Sequence, residues 1–245
     1  MNLYLTLTTV TLSLVLSCGN LNEVMESIED VSKTESSIPT QTEMANGLKA
    51  ALVKGTESGV SQLHQAGGYL NDPKVKIPFP KDLVKVKNTL VDIGMESEVN
   101  KVVNSLNEAA EDAVIEAKPL FVNAIKEMTI ADAKEILFGA DTAATSYLKS
   151  KTRSGLETAF KPKIQTSLDK VNATKYWGDV IGTYNKIPLT KKVNEDLPAY
   201  VTDKAIEGLF LQIANEESAI RENPVQRTTD ILKKVFGYAD SEKTQ

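Results

Sequence analysis

Cys18 is the residue of this sequence whose chemistry is easiest to foresee. It is the only cysteine among 245 residues, and it follows an uncharged apolar run from Leu3 to Leu16 and the small residue Ser17. The run is too short to cross ~30 Å of hydrocarbon as a helix, but it has the length of a signal-peptide core. The pattern is typical of a bacterial lipoprotein signal, which is cut before the cysteine that then carries lipid. We therefore predict a signal peptide over 1–17 and lipidation at Cys18.

The usual catalytic and metal-binding constellations have few candidates in the rest of the chain. The single histidine, His64, adjoins a predicted helix end, which favours a capping or surface role and leaves serine triads without their usual base. Glu108 and Glu111 on one helix could indicate a di-iron carboxylate site, but such a site needs Glu-x-x-His on partner helices, and the sequence has no such motif. With Cys18 lipidated, no thiol remains for a disulfide, a metal or a nucleophile. We predict no catalytic residue, no metal and no cofactor.

The remaining candidate cluster is a small set of polar side chains. They lie on apolar helix faces or beside segments that contain proline. Its clearest pair, Glu217 and Arg221, lies four residues apart on one predicted face and can form an ion pair along the helix. Three interpretations stay open: a buried polar network that fixes helix ends, a site for an anionic or polar ligand, and catalysis by carboxylates. The cluster comprises Lys76, Asn107, Glu111, Glu217, Arg221 and Arg227.

The distribution of charge argues against nucleic acid and anionic lipid as general partners. The chain has a net charge of −5, and residues 19–43, with six acids and Lys33, account for all of it. The remaining domain is therefore neutral and has no general attraction for a polyanion. Residues 18–39 are predicted to be an acidic flexible tether, and no nucleic acid is expected as a partner.

Helical periodicity and capping signals dominate the sequence from Thr40 onward. Apolar residues recur at spacings of three and four, without runs that alternate as in strands, so we predict an all-α domain, a single bundle of about nine helices over 40–237. Residues 238–245 are expected to be a disordered tail. Two extended segments, around 75–79 and 187–189, are candidates for one short two-stranded pairing.

Particular residues predict where individual helices begin, end or bend. Thr40 and Glu43 form a capping box for a first helix that ends near Gln65, and Thr129 with Asp132 gives a second such signal. Pro119 should kink or divide the longest helix. Separate helices are expected over 141–149 and 156–171. Thr202 is expected to cap a helix over 203–222, and Thr228 or Thr229 to cap a last helix that ends near Gly237. A neighbouring helix should pack against the face formed by Gly47, Ala51, Gly55 and Gly59.

Short phrases spread over the domain resemble the DUF4197 family of bacterial envelope proteins. The resemblance covers about residues 44–237 and implies a helical exported protein without an assigned biochemical activity. An arginine is common in the family where this chain has Glu108, so no cation role carries over there. The phrases are Gly47-Leu-Lys-x-Ala-Leu, Lys76-Ile-Pro-x-Pro, Asn107-x-Ala-Ala-Glu111, Met128-Thr-Ile-Ala-Asp132-Ala, Ala143-Ala-Thr-x-Tyr147, Asp196-Leu-x-x-Tyr-Val-Thr202, Gly208-Leu-Phe and Ile220-Arg-x-Asn-Pro-x-x-Arg-Thr228.

We predict a protein of the cell envelope, held by its lipid to the outer membrane and facing the periplasm. Its expected role is non-enzymatic binding of an envelope protein or small ligand. A carrier of a small apolar ligand or lipid is the first alternative, and an apolar tunnel beside Gly47–Gly59 would favour it. A hydrolase or lyase that uses carboxylates is the second, and convergent carboxylates in a polar cleft would favour that one.

Overall fold

The structure is a computed structural model that describes residues 38–92, 94–175, 177–178 and 196–243. The described backbone is α-helical with short 3-10 turns and contains no strand, so the predicted all-α class is confirmed. The predicted signal peptide, nearly all of the tether and the partner strand at 187–189 lie outside the described residues. The helices are α1 (Gln41–His64), α2 (Val84–Asp92), α3 (Glu96–Ala113), α4 (Ala117–Glu127), α5 (Ile130–Leu137), α6 (Ala143–Lys170), α7 (Leu197–Glu222) and α8 (Asp230–Lys243).

The core lies around α1, which packs against α4, α5, α7 and α8, while α6 packs along α3 and α7. Leu48, Val60 and Leu63 bring the apolar face of α1 into this core. Phe121 of α4 meets Phe210 of α7 edge-on, with ring centroids 6.0 Å apart. The polar groups discussed below lie where these helices begin and end.

The glycine face of α1 is occupied by neighbouring helices, as predicted. A Cβ added at Gly47 would lie 2.7 Å from Val235 of α8, and one at Gly59 would lie 3.2 Å from Ile213 of α7. Gly55 has more room, because its added Cβ would meet α7 only at 3.6 Å. The cavity beside Gly55 has a volume of about 20 Å³, which is room for about one water molecule and too little for a lipid chain.

Local signals placed several helix boundaries correctly. Thr40 and Glu43 form the expected capping box at the start of α1, and Thr129 with Asp132 forms the other at α5. A 3-10 turn over Val114–Glu116 divides the longest predicted helix, and α4 begins directly after it. Pro119 lies in the first turn of α4, where a missing backbone N–H costs nothing because the first amides of a helix have no partner within it.

The expected division between 141–149 and 156–171 is wrong, because α6 runs unbroken from Ala143 to Lys170 and includes Pro162. Ser154, just before the expected start at 156, has the residue type of a helix cap. The buried residues Leu148, Thr152 and Leu156 instead continue one line at four-residue spacing across that position. Burial of the line outweighs the local capping preference of a serine.

Of the two helix starts predicted near the end of the chain, one is wrong and one is confirmed. Helix α7 begins at Leu197, with Asp196 accepting the N–H of Ala199 at 2.9 Å, so Thr202 is a buried residue inside the helix and does not cap it. The last helix does start after Thr229, whose hydroxyl accepts the N–H of Leu232 at 3.4 Å.

The expected tail from residue 238 is also wrong, since α8 continues to Lys243. Tyr238 packs edge-on against Phe138 with ring centroids 6.2 Å apart, and Ala239 is buried. The glycine at position 237 had been interpreted as the end of the helix. These apolar contacts beyond it stabilise two further turns.

Candidate functional site

Glu217 lies on α7, but its carboxylate holds the start of α6. It accepts hydrogen bonds from the backbone N–H groups of Ala144 (3.0 Å) and Thr145 (2.8 Å) and from the hydroxyl of Thr145 (2.7 Å). The residue before α6, Thr142, makes no side-chain capping bond. Glu217 therefore supplies the acceptor for helix amides that have no partner within their own helix, and its negative charge meets the positive end of the helix dipole.

Arg221 follows one turn later and carries the opposite charge. Its Nε and Nη2 lie 3.0 Å and 2.9 Å from Oε1 of Glu217, and both side chains are 6% exposed. The same guanidinium donates to the carbonyl oxygens of Leu137 (3.2 Å) and Ile136 (2.9 Å), at the end of α5. One buried ion pair on α7 thus joins the end of α5 to the beginning of α6.

Arg227 caps the C-terminal end of α7 itself. Its guanidinium donates to the carbonyl oxygens of Ile220 (3.0 Å) and Arg221 (2.6 Å), which are left without partners where the helix ends. Nη1 also contacts Asp240 of α8 at 2.7 Å, and the group lies 5.6 Å from the ring centroid of Phe236. Arg227 therefore ties the end of α7 to α8.

Glu111 of α3 holds the turn that follows α1. Its two carboxylate oxygens accept the backbone N–H groups of Gly67 (3.0 Å), Tyr69 (3.1 Å) and Leu70 (3.3 Å). Nδ1 of His64 lies 2.7 Å from the backbone carbonyl oxygen of Glu111 rather than from its carboxylate. Within the part of the chain that the structure describes, no cation lies within ion-pair distance of Glu111, so backbone amides alone hold its charge.

The same turn is fixed at two further points. The side-chain amide of Asn107 accepts the N–H of Ile77 at 2.8 Å and donates to its carbonyl oxygen at 2.9 Å, so that it pairs with the backbone as a neighbouring strand would. The buried hydroxyl of Tyr69 donates to the carbonyl oxygen of Ala205 on α7 at 2.8 Å. Burial, and secondarily the charge of Glu111, raises the pKa of Tyr69, so this hydroxyl keeps its proton.

Five of the six predicted polar residues thus serve helix ends and one turn, in two separate networks. The first contains Glu217, Arg221 and Arg227, and the second contains Asn107 and Glu111. Across residues 38–92, 94–175, 177–178 and 196–243, no group of three His, Cys, Asp or Glu side chains could hold a metal. The prediction of a ligand site at these residues stays a prediction.

Lys76, the sixth residue, lies instead on an open cleft of about 700 Å³ between residues 74–81 and α7. Val75, Pro78 and Leu211 add apolar surface to its walls. Lys74 and Lys81 lie on the same side as Lys76, and all three are exposed. No ion pair with any of these three lysines occurs among the described side chains.

The acidic residues of the cleft already have partners. Asp203 contacts Nη2 of Arg153 at 2.5 Å, and Glu207 contacts Nζ of Lys204 at 2.6 Å. Tyr200 joins the two walls by donating from its hydroxyl to the carbonyl oxygen of Pro78 at 2.9 Å. Burial, with a smaller effect of Glu207, raises the pKa of Tyr200 to about 12, so the hydroxyl stays a donor at neutral pH. The field in the cleft is therefore positive.

Trp177 is a cleft residue that the sequence did not single out. It is 6% exposed and packs against Phe79 with ring centroids 5.7 Å apart. Its indole Nε1–H is buried and has no hydrogen-bond partner among the described residues. The sequence marked this residue only as its single tryptophan. Its place in a cleft could not be inferred, because the walls of the cleft come from distant parts of the chain.

The fold and these contacts define an all-α domain whose buried charges secure helix ends and whose surface carries a lysine-lined cleft. A family model described as a protein of unknown function, DUF4197, matches residues 38–237, and the chain belongs to that family. Searches of curated proteins and of solved structures found no match. None of the described helices is both long enough and apolar enough to cross a membrane.

Proposed function

We propose that this protein is a non-enzymatic, lipid-anchored binding domain of the cell envelope, and that its cleft receives an anionic partner. The observation that carries the proposal is the presence of Lys74, Lys76 and Lys81 on one wall, exposed and without ion pairs among the described residues. Lysines gathered beside apolar surface offer both charge attraction and area to bury. The domain as a whole has almost no net charge, so the three lysines give this wall a local positive excess.

The placement of the buried carboxylates supports binding rather than catalysis. Glu111 and Glu217 accept three or more hydrogen bonds each from this chain, and neither lines the cleft. General acid–base catalysis needs a carboxyl group within reach of substrate. The carboxylates that line the cleft, Asp203 and Glu207, are engaged by Arg153 and Lys204. A hydrolase or lyase is therefore the weaker alternative.

A carrier of an apolar ligand also has less support than a partner-binding domain. A tunnel beside Gly47–Gly59 would favour it, but neighbouring side chains approach that face closely, and the cavity there holds about one water molecule. The large cleft is open and carries charge on its rim, as expected for a partner that leaves part of its surface in solvent.

The proposed anchor rests on Cys18, which lies outside the described residues. The apolar run before it and the small residue Ser17 support cleavage and lipidation there. Gly19, rather than aspartate, follows Cys18, which favours the outer membrane by analogy with sorting in enteric bacteria. The domain would then face the periplasm at the end of its acidic tether.

The anchor is tested by Cys18→Ala. We expect the variant to leave the membrane fraction or to stay unprocessed, because acyl chains add ~0.8 kcal/mol of membrane affinity per buried methylene. Mass spectrometry of the native amino terminus should show the acyl groups. Unchanged membrane association without acyl mass would contradict the anchor.

The cleft is tested by placing a photo-crosslinking residue at position 76 in the full-length chain in cells. We expect a crosslinked species that disappears when Lys74 and Lys81 are both changed to Glu. The matched control is the same residue at position 149, because Lys149 is exposed on α6 and lies outside the cleft. Equal crosslinking from the two positions, or no effect of the charge changes, would contradict the cleft as the binding surface.

A further inference from the structure

Residues 74–87 concentrate positive charge in a domain whose net charge is zero. This stretch of fourteen residues contains five lysines and one acid, Asp82, and so has a net charge of +4. The domain from residue 44 onward is neutral, so its other residues together carry −4. The neutral total therefore conceals a local positive field, which attracts an anionic surface even though the domain as a whole does not.

A hydrogen-bonded turn presents the first two of these lysines. The backbone carbonyl oxygen of Asp72 accepts the N–H groups of Val75 at 3.1 Å and Lys76 at 2.8 Å, and its carboxylate accepts the N–H of Lys74 at 2.9 Å. Val75 is buried, whereas both lysines are exposed. The Asp72 carboxylate thus fixes the backbone of its own turn, and no ion pair between it and either lysine occurs among the described side chains.

The helical segment after Pro80 extends this positive stretch. It begins with the 3-10 turn Lys81–Leu83 and continues into α2. Lys81, Val84 and Lys85 are spaced by three and four residues, which places them on one helical face, and all three are exposed. Leu83, between them in sequence, is buried. This face therefore points to solvent, with a 45% exposed Val84 between two lysines.

The turn and the helix face form one surface because Lys81 belongs to both. Lys81 lines the cleft with Lys74 and Lys76, and it also begins the exposed helix face. Leu211 of α7 lines the same cleft and is 40% exposed. We define the basic surface as the following residues: Lys74, Lys76, Lys81, Val84, Lys85 and Leu211.

The composition of the basic surface suits phosphate groups at a membrane. Lysine is a compact point charge that contacts phosphate oxygens without a fixed geometry, whereas the planar fork of arginine favours bidentate pairing. No described residue that lines the cleft is an arginine. Isolated apolar side chains among the lysines match the boundary of an anionic bilayer, where phosphates adjoin acyl chains. Clusters of about four to eight basic residues bind anionic lipids in this way.

We infer that the basic surface binds the phosphate groups of an anionic phospholipid membrane, with Val84 and Leu211 entering the headgroup layer. This inference rests on the proposed function and names its anionic partner. The contact is noncovalent, and it weakens as salt screens the lysines. Each lysine close to an anionic membrane strengthens binding about fivefold, so the three cleft lysines together contribute about a hundredfold.

The test measures sedimentation of the full-length Cys18→Ala chain with phospholipid vesicles, so that no acyl anchor contributes. One set of vesicles contains phosphatidylglycerol and phosphatidylcholine in equal amounts, and the other contains phosphatidylcholine alone. We expect binding to the first set that weakens as salt increases, and little binding to the second. Any affinity of residues 1–17 for lipid is common to all the variants compared. Binding that is equal for the two sets, or independent of salt, would overturn the inference.

Charge-removing variants of this chain locate the contact. Changing the three cleft lysines together to Gln should weaken binding to the phosphatidylglycerol vesicles about a hundredfold. A matched control removes the same number of charges from exposed lysines outside the cleft and should bind like the parent. It combines Lys126→Gln, Lys149→Gln and Lys170→Gln. Equal weakening by the two variants would show that total charge controls binding, which would contradict a role of the basic surface.

An exposed apolar side chain provides a second pair of variants. Val84→Ser should weaken vesicle binding about threefold, because less apolar area enters the headgroup layer. Val225→Ser is the control, since Val225 is 81% exposed and lies outside the basic surface, and equal binding of the two would contradict the entry of Val84. Circular dichroism checks that each variant is folded. The lipid and salt series on the Cys18→Ala chain test the inference whatever that check shows.

Crosslinking from position 76 separates failure of this inference from failure of the proposed function. If the inference is correct, mass spectrometry identifies a phospholipid as the crosslinked species. A crosslinked protein, together with no selective binding to phosphatidylglycerol, overturns the inference but leaves the proposed function intact. Loss of all vesicle binding to competing glycerol 3-phosphate, at concentrations below that of the phospholipid, would show a small soluble phosphate ligand instead of a membrane. If neither crosslinking nor vesicle binding occurs, both proposals fail.

Discussion

The two buried carboxylates of this domain do the same structural work with different electrostatic support. Glu217 accepts backbone N–H groups at the start of α6 and has the guanidinium of Arg221 at 2.9 Å. Glu111 accepts three backbone N–H groups of the turn after α1, and no cation of the described chain lies within ion-pair distance. Backbone amides from another part of the chain donate to both carboxylates, but only Glu217 also has a counter-ion.

This difference predicts how each network fails. Removing one member of a buried ion pair leaves the other charged and desolvated, whereas removing a charge held only by amides leaves neutral donors without an acceptor. The Glu217 network should therefore be more sensitive to loss of one partner and more tolerant of loss of both. The Glu111 network has no partner whose removal could compensate.

The largest effect is expected for Arg221→Met. The change leaves Glu217 without its counter-ion and frees the carbonyl oxygens of Ile136 and Leu137, so the free energy of unfolding should fall by about 3–5 kcal/mol. The double variant Glu217→Gln, Arg221→Met should recover much of that loss. Chemical denaturation of both variants measures the recovery. A single variant of parental stability would show that the pair does not hold these helix ends.

Glu111→Gln should have a smaller effect. One carboxylate oxygen becomes an NH₂ group that cannot accept, so at least one N–H of Gly67, Tyr69 or Leu70 loses its partner, at a cost of about 1–3 kcal/mol. The control is Glu108→Gln on the exposed side of the same helix, which should stay near parental stability. A loss as large as that of Arg221→Met would mean that charge, rather than hydrogen bonding, dominates at Glu111.

A glycine pair tests the packing beside the Glu217 network without touching its charges. Gly55 lines the small cavity next to Glu217 and Arg221, and a Cβ there would make ordinary contact at 3.6 Å, so Gly55→Ala should stabilise by about 1 kcal/mol through helix propensity. Gly47→Ala should destabilise, because its Cβ would lie 2.7 Å from Val235. Thermal melting compares them, and equal shifts would show that α1 adjusts freely against both neighbours.

The same networks show what could be predicted from the sequence. The capping box of Thr40 and Glu43 was predicted because its partners are three residues apart, which is a local pattern. The amides that Glu217 holds lie 73 and 72 residues away, so its pairing with Arg221 was predictable but its role at α6 was not. Apolar periodicity predicted the helical class for the same local reason.

Errors arose where a local signal competed with packing. Ser154 resembled a cap, but burial of Leu148 and Leu156 keeps α6 continuous. The cleft was not predicted, although Lys76 was named, because Trp177 and α7 reach it only through the tertiary fold. A capping residue or a proline acts on its own helix, whereas a cleft depends on how distant helices meet.

The smallest effect is expected at Glu43, an exposed carboxylate that caps its own helix. Glu43 accepts the N–H of Thr40 at 2.7 Å and a hydrogen bond from Nζ of Lys234 at 2.8 Å. The bond from Lys234, followed by those from Thr40, lowers the pKa of Glu43 from 4.5 to about 2. Because the pKa is lower in the folded state, its stabilising effect is full above about pH 4.5 and is lost as the pH falls toward 2.

Glu43→Gln should therefore lower the melting temperature slightly at pH 7, and the difference from the parent should shrink to nothing near pH 2. Glu57→Gln, on an exposed position of the same helix, is the control and should show no such pH-dependent difference. A difference that stays constant between pH 7 and pH 2 would mean that the glutamate stabilises through packing or neutral hydrogen bonds. In that case Glu43 would depend on hydrogen bonds alone, as Glu111 does, and not on a counter-ion, as Glu217 does.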